Sequence, residues 1–63
     1  MGTEAGGEVY FELTRVGGSV KVVAIDATTG VEVTVIGPAT AAPSHLQQLA
    51  LAKLKARIAR EGE

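Results

Sequence analysis

Few side chains in this sequence are of types that catalyse reactions. His45 is the only histidine and directly follows Ser44, so the pair could supply a nucleophile and its base. Such a site also needs a third group that orients the imidazole. No carboxylate lies within a few residues of His45 in the sequence. We therefore expect His45 to be an exposed residue at the start of a helix.

Three glutamates, Glu8, Glu12 and Glu32, fall on one face of the sheet that the residue pattern predicts. Carboxylates placed together can act as an acid–base pair or hold a divalent cation weakly. A solvated face, on which Glu12 lies diagonal to Lys21, is the simpler interpretation. Gly17-Gly18 lacks the lysine and the following helix of a phosphate-binding loop. The sequence thus predicts no catalytic, cofactor-binding or metal-binding residues, no small-molecule substrate and no enzymatic activity.

Length and composition restrict the class of protein further. The chain has 63 residues, no cysteine, no tryptophan and a formal net charge of −1. A chain of this length forms one domain and cannot enclose a cofactor and a substrate between two lobes. Without cysteine it has neither a disulfide framework nor a thiolate zinc site. The near-neutral charge gives no overall field that would attract nucleic acid or an anionic membrane.

The chain divides into a short tail and one domain. The composition predicts that residues 1–7 are a disordered N-terminal tail and that residues 8–61 form a single domain. The tail contains an acid and no apolar run, which is not typical of a secretory signal. No segment has the roughly 18 consecutive apolar residues of a membrane span. We therefore expect a cytoplasmic protein that does not contact a membrane.

Three runs of alternating apolar and polar residues predict an antiparallel β-meander. The first run begins at Glu8, the second spans Ser19–Asp26 and the third spans Val31–Ile36. Gly37-Pro38 is expected to end the third strand, because proline cannot donate to a ladder. The following residues, mainly alanine, leucine, lysine, glutamine and arginine, favour a helix. The predicted fold is α+β: a three-stranded antiparallel meander followed by one C-terminal helix packed on one sheet face.

Two turns determine the expected register. Gly17-Gly18 supplies the positive φ angles of a two-residue hairpin turn. Asp26 opens a four-residue loop in which Gly30 takes the left-handed position. The register then pairs Val16 with Ser19, Leu13 with Val22, Phe11 with Ala24, Asp26 with Val31, Ala24 with Val33 and Val22 with Val35. One face holds Val9, Phe11, Leu13, Val20, Val22, Ala24, Val31, Val33 and Val35, and the other holds Glu8, Tyr10, Glu12, Thr14, Lys21, Val23, Ile25, Glu32, Thr34 and Ile36.

The helix should cover the first of these faces. Ser44, with Gln47 three residues later, predicts a capping box at its start, and Gly62 is a plausible stop. Helical spacing places five apolar residues in one stripe and leaves Leu49 outside it. The stems of Lys53 and Arg57 can cover apolar surface next to Leu49. The stripe consists of Leu46, Ala50, Leu51, Leu54 and Ile58.

One helix cannot cover both faces of a sheet, so the second face keeps an apolar patch. A domain of this size without disulfide or metal has a stability of only about 3–5 kcal/mol, and oligomerisation would bury further surface. We expect self-association through this second face or through an edge strand. Charged residues on the face would set the register. The candidate interface residues are Tyr10, Glu12, Lys21, Val23, Ile25, Glu32 and Ile36.

Two other interpretations remain open. The same surface suits an adaptor or subunit of a larger protein complex. A less favoured alternative is a nucleic-acid-binding accessory protein that uses the basic helix residues Lys53, Lys55, Arg57 and Arg60. Against this alternative, the sheet face that the helix leaves free carries Glu8, Glu12 and Glu32, whose charges would repel phosphates.

A series of strand, turn and helix segments carries a resemblance to other proteins: Gly7-Glu8-Val9-Tyr10-Phe11-Glu12, Thr14-Arg15, Val20-Lys21-Val22, Ala24-Ile25-Asp26-Ala27, Thr29-Gly30, Val33, Gly37-Pro38-Ala39, Leu46, Leu49-Ala50-Leu51 and Lys53-Leu54. In these segments the sequence resembles a family of short, uncharacterised bacterial proteins that consist of this domain and little else. The resemblance covers about Gly7 to Ile58, and it implies a β-β-β-α domain without carrying over catalytic or binding residues.

Overall fold

The computed structural model describes residues 8–61, which form three strands and one helix. The strands are β1 (Val9–Val16), β2 (Ser19–Asp26) and β3 (Glu32–Pro38), and the helix is α1 (Pro43–Glu61). The strands form one open antiparallel sheet in the order β1-β2-β3, and α1 packs against β2 and β3. The predicted α+β fold is confirmed. The expected tail at residues 1–7 and the helix stop at Gly62 lie outside the described residues.

Both hairpins have the predicted register. Leu13 lies opposite Val22, and Ala24 lies opposite Val33. Because side chains alternate along a strand, this register sorts the sheet into two faces. The helix face, against which α1 packs, holds Val9, Phe11, Leu13, Arg15, Val20, Val22, Ala24, Asp26, Val31, Val33, Val35 and Gly37. The outer face holds Tyr10, Glu12, Thr14, Val16, Ser19, Lys21, Val23, Ile25, Glu32, Thr34, Ile36 and Pro38.

The first turn uses one left-handed glycine instead of two. Gly17 has a φ of 59°, whereas Gly18 does not have a positive φ. A positive φ at the first central residue alone is the pattern of a type II′ turn. Only Gly17 therefore needs the conformational freedom of glycine.

The second loop is organised by the Asp26 side chain. The Asp26 N–H donates to the Val31 carbonyl at 2.9 Å, and the Gly30 N–H donates to the Asp26 carbonyl at 2.8 Å. One carboxylate oxygen of Asp26, Oδ2, accepts hydrogen bonds from the Thr29 N–H at 2.9 Å and from the Thr29 hydroxyl at 2.7 Å. Gly30 has the expected left-handed φ, at 78°. The buried carboxylate is thus satisfied locally and stabilises the loop.

The third strand is longer than predicted at its C-terminal end. It continues through Gly37 and Pro38, which lie opposite Val20 and Ser19. The prediction that Gly37-Pro38 ends the strand is wrong, because β3 is an edge strand. The missing N–H of Pro38 falls on the open side of the sheet, where no ladder bond is lost.

The helix begins one residue before the expected cap. Its first residue is Pro43, and the N–H groups of His45 and Leu46 donate to the Ala42 carbonyl at 3.0 and 3.2 Å. Ser44 therefore lies inside the first turn and does not act as the N-cap. Proline suits the first helical position because its φ is already helical and its missing N–H would have no partner there.

The core lies between the central part of the predicted helix stripe and the two strands beneath it. It consists of Val22, Ala24, Val33, Leu46, Ala50 and Leu54. Leu51 and Ile58 from the predicted stripe are half-buried, and Leu49 is exposed as expected. Leu13 lies on the predicted face but remains 42% exposed, because α1 packs on β2 and β3.

Gly37 allows the N-terminal part of the helix to approach the sheet closely. A Cβ atom at this position would lie 2.5 Å from Leu46 Cδ2. Leu46 is only 3% exposed, so its side chain has little room to move away. The absence of a side chain at Gly37 therefore sets how closely α1 packs.

Replacing Gly37 with alanine should destabilise the domain, because Leu46 must leave its packed position. Overpacking of this kind costs about 1–3 kcal/mol. Gly18→Ala is the matched control, since a Cβ there meets no atom within 4 Å and its φ is not positive. Urea denaturation at equal protein concentration measures both variants. Equal stabilities would show that the Leu46 contact does not limit packing.

Candidate interaction surface

The seven residues predicted to form an interface lie together on the outer face. Across the three strands, Tyr10 is opposite Ile25, which is opposite Glu32. Val23 lies opposite Glu12, and Lys21 lies opposite Ile36. No helix or strand among residues 8–61 covers this face, since α1 packs on the other one. The structure therefore brings the predicted residues into one continuous surface.

The apolar residues of this surface differ in exposure. Tyr10 and Ile36, on the two outer strands, are 54% and 68% exposed. Val23 and Ile25, on the central strand, are half-buried by their neighbours. Val16 also belongs to the outer face and is 62% exposed. Sequence analysis missed Val16, although its even number on β1 places it on the same side as Tyr10.

The outer face is more acidic than basic. Glu12 and Glu32 lie on it with Lys21, and Glu8 joins them at the end of the sheet through the hydrogen bond that its side chain accepts from Tyr10. Within residues 8–61, no group of three histidine, cysteine or acidic side chains is close enough to hold a metal ion. The one ion pair within residues 8–61 joins Arg57 and Glu61 on α1 at 2.8 Å, so no acid of the outer face takes part in an ion pair. The acids are thus dispersed over the surface.

Tyr10 is linked to one of these acids. Its hydroxyl donates a hydrogen bond to Glu8 Oε1 at 2.7 Å. This hydrogen bond, followed by repulsion from the Glu8 charge and by a small loss of solvation, raises the pKa of Tyr10 above its usual value of 10.0. The Tyr10 phenol therefore ionises at higher pH than a free phenol does.

The residues considered for catalysis do not form a site with other groups. His45 is exposed in the first turn of α1, as predicted, and the adjacent Ser44 is exposed too. An open depression of about 270 Å³ lies at the other end of the helix, lined by Thr29, Val31, Ile58 and Glu61. The Glu61 carboxylate there is paired with Arg57. Thr29, also in this lining, donates its hydroxyl to the Asp26 carboxylate at 2.7 Å, which is the contact that organises the second loop.

The backbone groups of the two edge strands can be assigned from the register. The Ala27 N–H donates to the Glu8 carbonyl at 3.0 Å, so even-numbered residues of β1 direct their backbone groups towards β2. Odd-numbered residues of β1 therefore direct theirs to the open edge. On β3 the pattern is reversed, because Asp26 bonds to Val31 and odd-numbered residues face β2. Even-numbered residues of β3 then face the other edge.

Other parts of the chain bond to two of the outward carbonyls on the β3 edge, those of Thr34 and Pro38. Lys53 Nζ, from α1, donates to the Thr34 carbonyl at 2.9 Å. The Pro38 carbonyl accepts from the Ala41 N–H at 3.0 Å, and Pro38 has no N–H of its own. Lysine and proline at an edge are common means of preventing strand addition. This edge is therefore a poor template for another strand.

The β1 edge has no such cap among residues 8–61. Its outward backbone groups belong to Val9, Phe11, Leu13 and Arg15. None of the hydrogen bonds outside the ladders of this part of the chain reaches these groups. β1 also contains neither proline nor glycine. The two edges were not distinguished from the sequence, because the Lys53–Thr34 contact on the β3 edge depends on how α1 packs.

The basic helix residues are partly engaged within the domain. Lys53 is bound to β3, and Arg57 is bound to Glu61. Lys55 and Arg60 are exposed. The four cations therefore do not form one unoccupied basic surface.

Within residues 8–61, fold and surface define the class: a small α+β domain with an open three-stranded sheet, one helix and one edge strand without a cap. The chain belongs to the family DUF6898, described as a domain of unknown function, whose model matches residues 6–61. This agrees with the resemblance to a family of short proteins. No curated protein and no solved structure matches the sequence. Within residues 8–61, the helix is not long and apolar enough to cross a membrane.

Replacing Glu8 with glutamine should lower the pKa of Tyr10 towards its usual value, because the charge that opposes ionisation is removed. Tyr10 is the only tyrosine and the chain has no tryptophan, so an ultraviolet absorbance titration reports this phenol alone. Glu12→Gln is the matched control and should leave the titration unchanged. Identical curves for Glu8→Gln and the native protein would show that the hydrogen bond is not populated in solution.

Proposed function

We propose that this protein is a non-enzymatic interaction module that self-associates by pairing the free edge of β1 with the same strand of a second copy. The observation that carries the proposal is the difference between the two edges. On the β3 edge the Thr34 and Pro38 carbonyls accept hydrogen bonds, whereas no contact within residues 8–61 caps the β1 edge. Antiparallel pairing of two β1 strands would produce one six-stranded sheet with two-fold symmetry.

Backbone pairing is the first source of stability for such a dimer. Four residues of β1, from Val9 to Arg15, direct their N–H and carbonyl groups outwards. Each added hydrogen bond contributes roughly 0.5–1.5 kcal/mol net. An edge of this length is sufficient for the strand-addition mode of recognition, in which the backbone gives affinity and side chains give specificity.

Burial of apolar side chains is the second source of stability for this dimer. β1 carries three of the large apolar side chains that the domain leaves exposed: Tyr10 at 54%, Leu13 at 42% and Val16 at 62%. Strand addition places neighbours beside residues on both faces of β1, at about 4.5–5.5 Å between Cβ atoms. It would therefore shield Leu13 on the helix face as well as Tyr10 and Val16 on the outer face. Association through the outer face alone would leave Leu13 exposed.

A proline at an outward N–H should prevent dimer formation without breaking the sheet. The Leu13 N–H faces the open edge, so Leu13→Pro removes a donor needed only between copies. Thr34→Pro is the matched control, because it changes an outward N–H on the β3 edge in the same way. Light scattering over a wide concentration range should show a monomer for Leu13→Pro and a dimer for Thr34→Pro and the native protein.

Other outcomes of this experiment would contradict the proposal. A native protein that stays monomeric at high micromolar concentration excludes self-association and favours the adaptor interpretation. Dissociation by Thr34→Pro alone would assign assembly to the β3 edge. Circular dichroism of both variants verifies that the sheet and the helix are retained.

A lysine on the outer face tests the second route to assembly. Ile25→Lys or Val23→Lys places a charge at the centre of that face, on the central strand β2. If the dimer forms by β1 pairing, both variants should keep the native mass in light scattering. The substitutions should then change only the stability of the domain. Dissociation of both variants with unchanged circular dichroism would instead identify the outer face as the interface.

The nucleic-acid alternative has weaker support. Lys53 and Arg57 already have partners within the domain, and Glu12 and Glu32 lie on the free sheet face. Binding that used the helix would fall steeply with salt and would be lost when Lys53, Lys55 and Arg57 are neutralised.

A further inference from the structure

We infer the register of the proposed β1 pair: the two-fold axis passes beside Leu13, so that Leu13 faces the partner's Leu13 and Phe11 faces the partner's Arg15. This inference rests on the proposed function and adds the residues that would give the assembly its specificity. It follows from which backbone groups face outwards and from the charges along β1.

The outward groups limit the possible registers. Only odd-numbered residues of β1 direct their backbone groups to the open edge, so odd-numbered residues must lie opposite one another across the new ladder. Counted over residues 8–16, a two-fold axis beside Phe11, Glu12 or Leu13 keeps at least seven residues opposite a partner residue, whereas an axis beside Thr14 keeps only five. A register with an odd-numbered residue opposite an even-numbered one would place the helix face of one copy beside the outer face of the other.

An axis at Glu12 is disfavoured by charge. Glu12 would lie directly opposite the partner's Glu12 in a non-hydrogen-bonded pair, which is the arrangement with the closer side chains. Like charges directly opposite each other destabilise a sheet. Glu12 is exposed but has no cation beside it on β1 that could offset this repulsion, since Arg15 lies on the helix face.

An axis at Phe11 concentrates acids and leaves apolar surface exposed. Glu12 would face the partner's Tyr10, with the partner's Glu8 and the partner's Glu12 as its two diagonal neighbours. Val16, which is 62% exposed, would extend beyond the paired segment. This register therefore adds repulsion and gives up burial.

An axis at Leu13 avoids both costs. Tyr10 faces the partner's Val16, so two of the most exposed side chains of β1 shield each other. Glu12 faces the partner's Thr14, and its remaining acidic neighbour is a single diagonal Glu12. On the helix face, Leu13 meets the partner's Leu13.

The same axis pairs Phe11 with a cation. The guanidinium of the partner's Arg15 would lie beside the Phe11 ring, a favourable cation–π arrangement within about 6 Å of the ring centre. Phe11 is half-buried, so one side of its ring already rests on the domain. Arg15 is exposed and has no ion-pair partner among residues 8–61.

The position of α1 leaves room for this arrangement. The helix lies over β2 and β3, so the helix face of β1 is accessible from the side. Two copies would place their helices on the same face of a six-stranded sheet, separated by the paired β1 strands. No element of residues 8–61 needs to move.

Single cysteine variants identify the axis, because the native chain contains no cysteine. Only a residue on the two-fold axis lies opposite itself. At an axis on Leu13 the two Cα atoms of a Leu13→Cys dimer are about 5.5 Å apart, within the disulfide range of roughly 4.4–6.8 Å. Diagonal neighbours such as two cysteines at position 12 are about 7–8 Å apart, which is too far.

The expected result is rapid oxidation of Leu13→Cys to a covalent dimer. Ile36→Cys, an exposed position on β3, measures random collision. Leu13→Cys should react on the order of 100-fold faster, because pairing raises the effective thiol concentration from tens of micromolar to a few millimolar. Glu12→Cys and Phe11→Cys alone should react close to the control rate. A mixture of Phe11→Cys and Arg15→Cys should form the mixed disulfide.

Each alternative result has a distinct meaning. Fastest oxidation of Phe11→Cys or Glu12→Cys would overturn the Leu13 register while leaving β1 pairing intact. Control rates for Leu13→Cys, Glu12→Cys, Phe11→Cys and the mixture, with a native dimer in light scattering, would overturn the register and assign assembly to another surface. Control rates together with a native monomer would reject the proposed function itself.

Discussion

The width of one helix relative to a three-stranded sheet is the constraint on which the arrangement of this domain depends. A helix with its side chains is about 10–12 Å across, and neighbouring strands are about 4.8 Å apart. One helix can therefore cover about two strands. Here α1 covers β2 and β3, so β1 keeps exposed apolar side chains on both faces, Leu13 and Tyr10 among them, and has one edge that residues 8–61 leave uncapped.

Local contacts explain why the helix lies on the β3 side. The connection from Pro38 to Pro43 is short, so the helix starts close to the end of β3. Gly37 lets Leu46 approach the sheet, and Lys53 bonds to the β3 edge farther along the helix. These contacts cap one edge of the sheet. The opposite edge receives no comparable protection from residues 8–61.

Polar groups in the domain have local roles where they are buried. Asp26 is the buried charged residue of the core region, at 3% exposure, and its carboxylate is bonded to Thr29 in the adjacent loop. The remaining acids of the sheet lie on the outer face, where solvent surrounds them. The groups that still lack contacts within residues 8–61 are therefore the outward backbone groups of β1 and its exposed apolar side chains.

The order of elements and the register were predictable from the sequence. Period-two alternation identified the strands, and the turn residues Gly17 and Asp26 aligned them, because a slip of one residue would exchange the two faces. Ends of elements were less predictable. Pro38 extends an edge strand and Pro43 begins the helix, and proline is tolerated at both positions only because a missing N–H there costs no hydrogen bond.

By itself, the sequence determined which residues share a face, since alternation along a strand is a local property of the backbone. It placed Tyr10, Val23 and Ile25 together, and it grouped Leu13 with the core residues. The exposure of Leu13 and the lack of a cap on the β1 edge within residues 8–61 follow instead from tertiary packing. Both depend on where a helix of fixed width rests on the sheet, which is set by contacts between residues distant in the chain, such as those of Lys53 with Thr34 and Leu46 with Gly37.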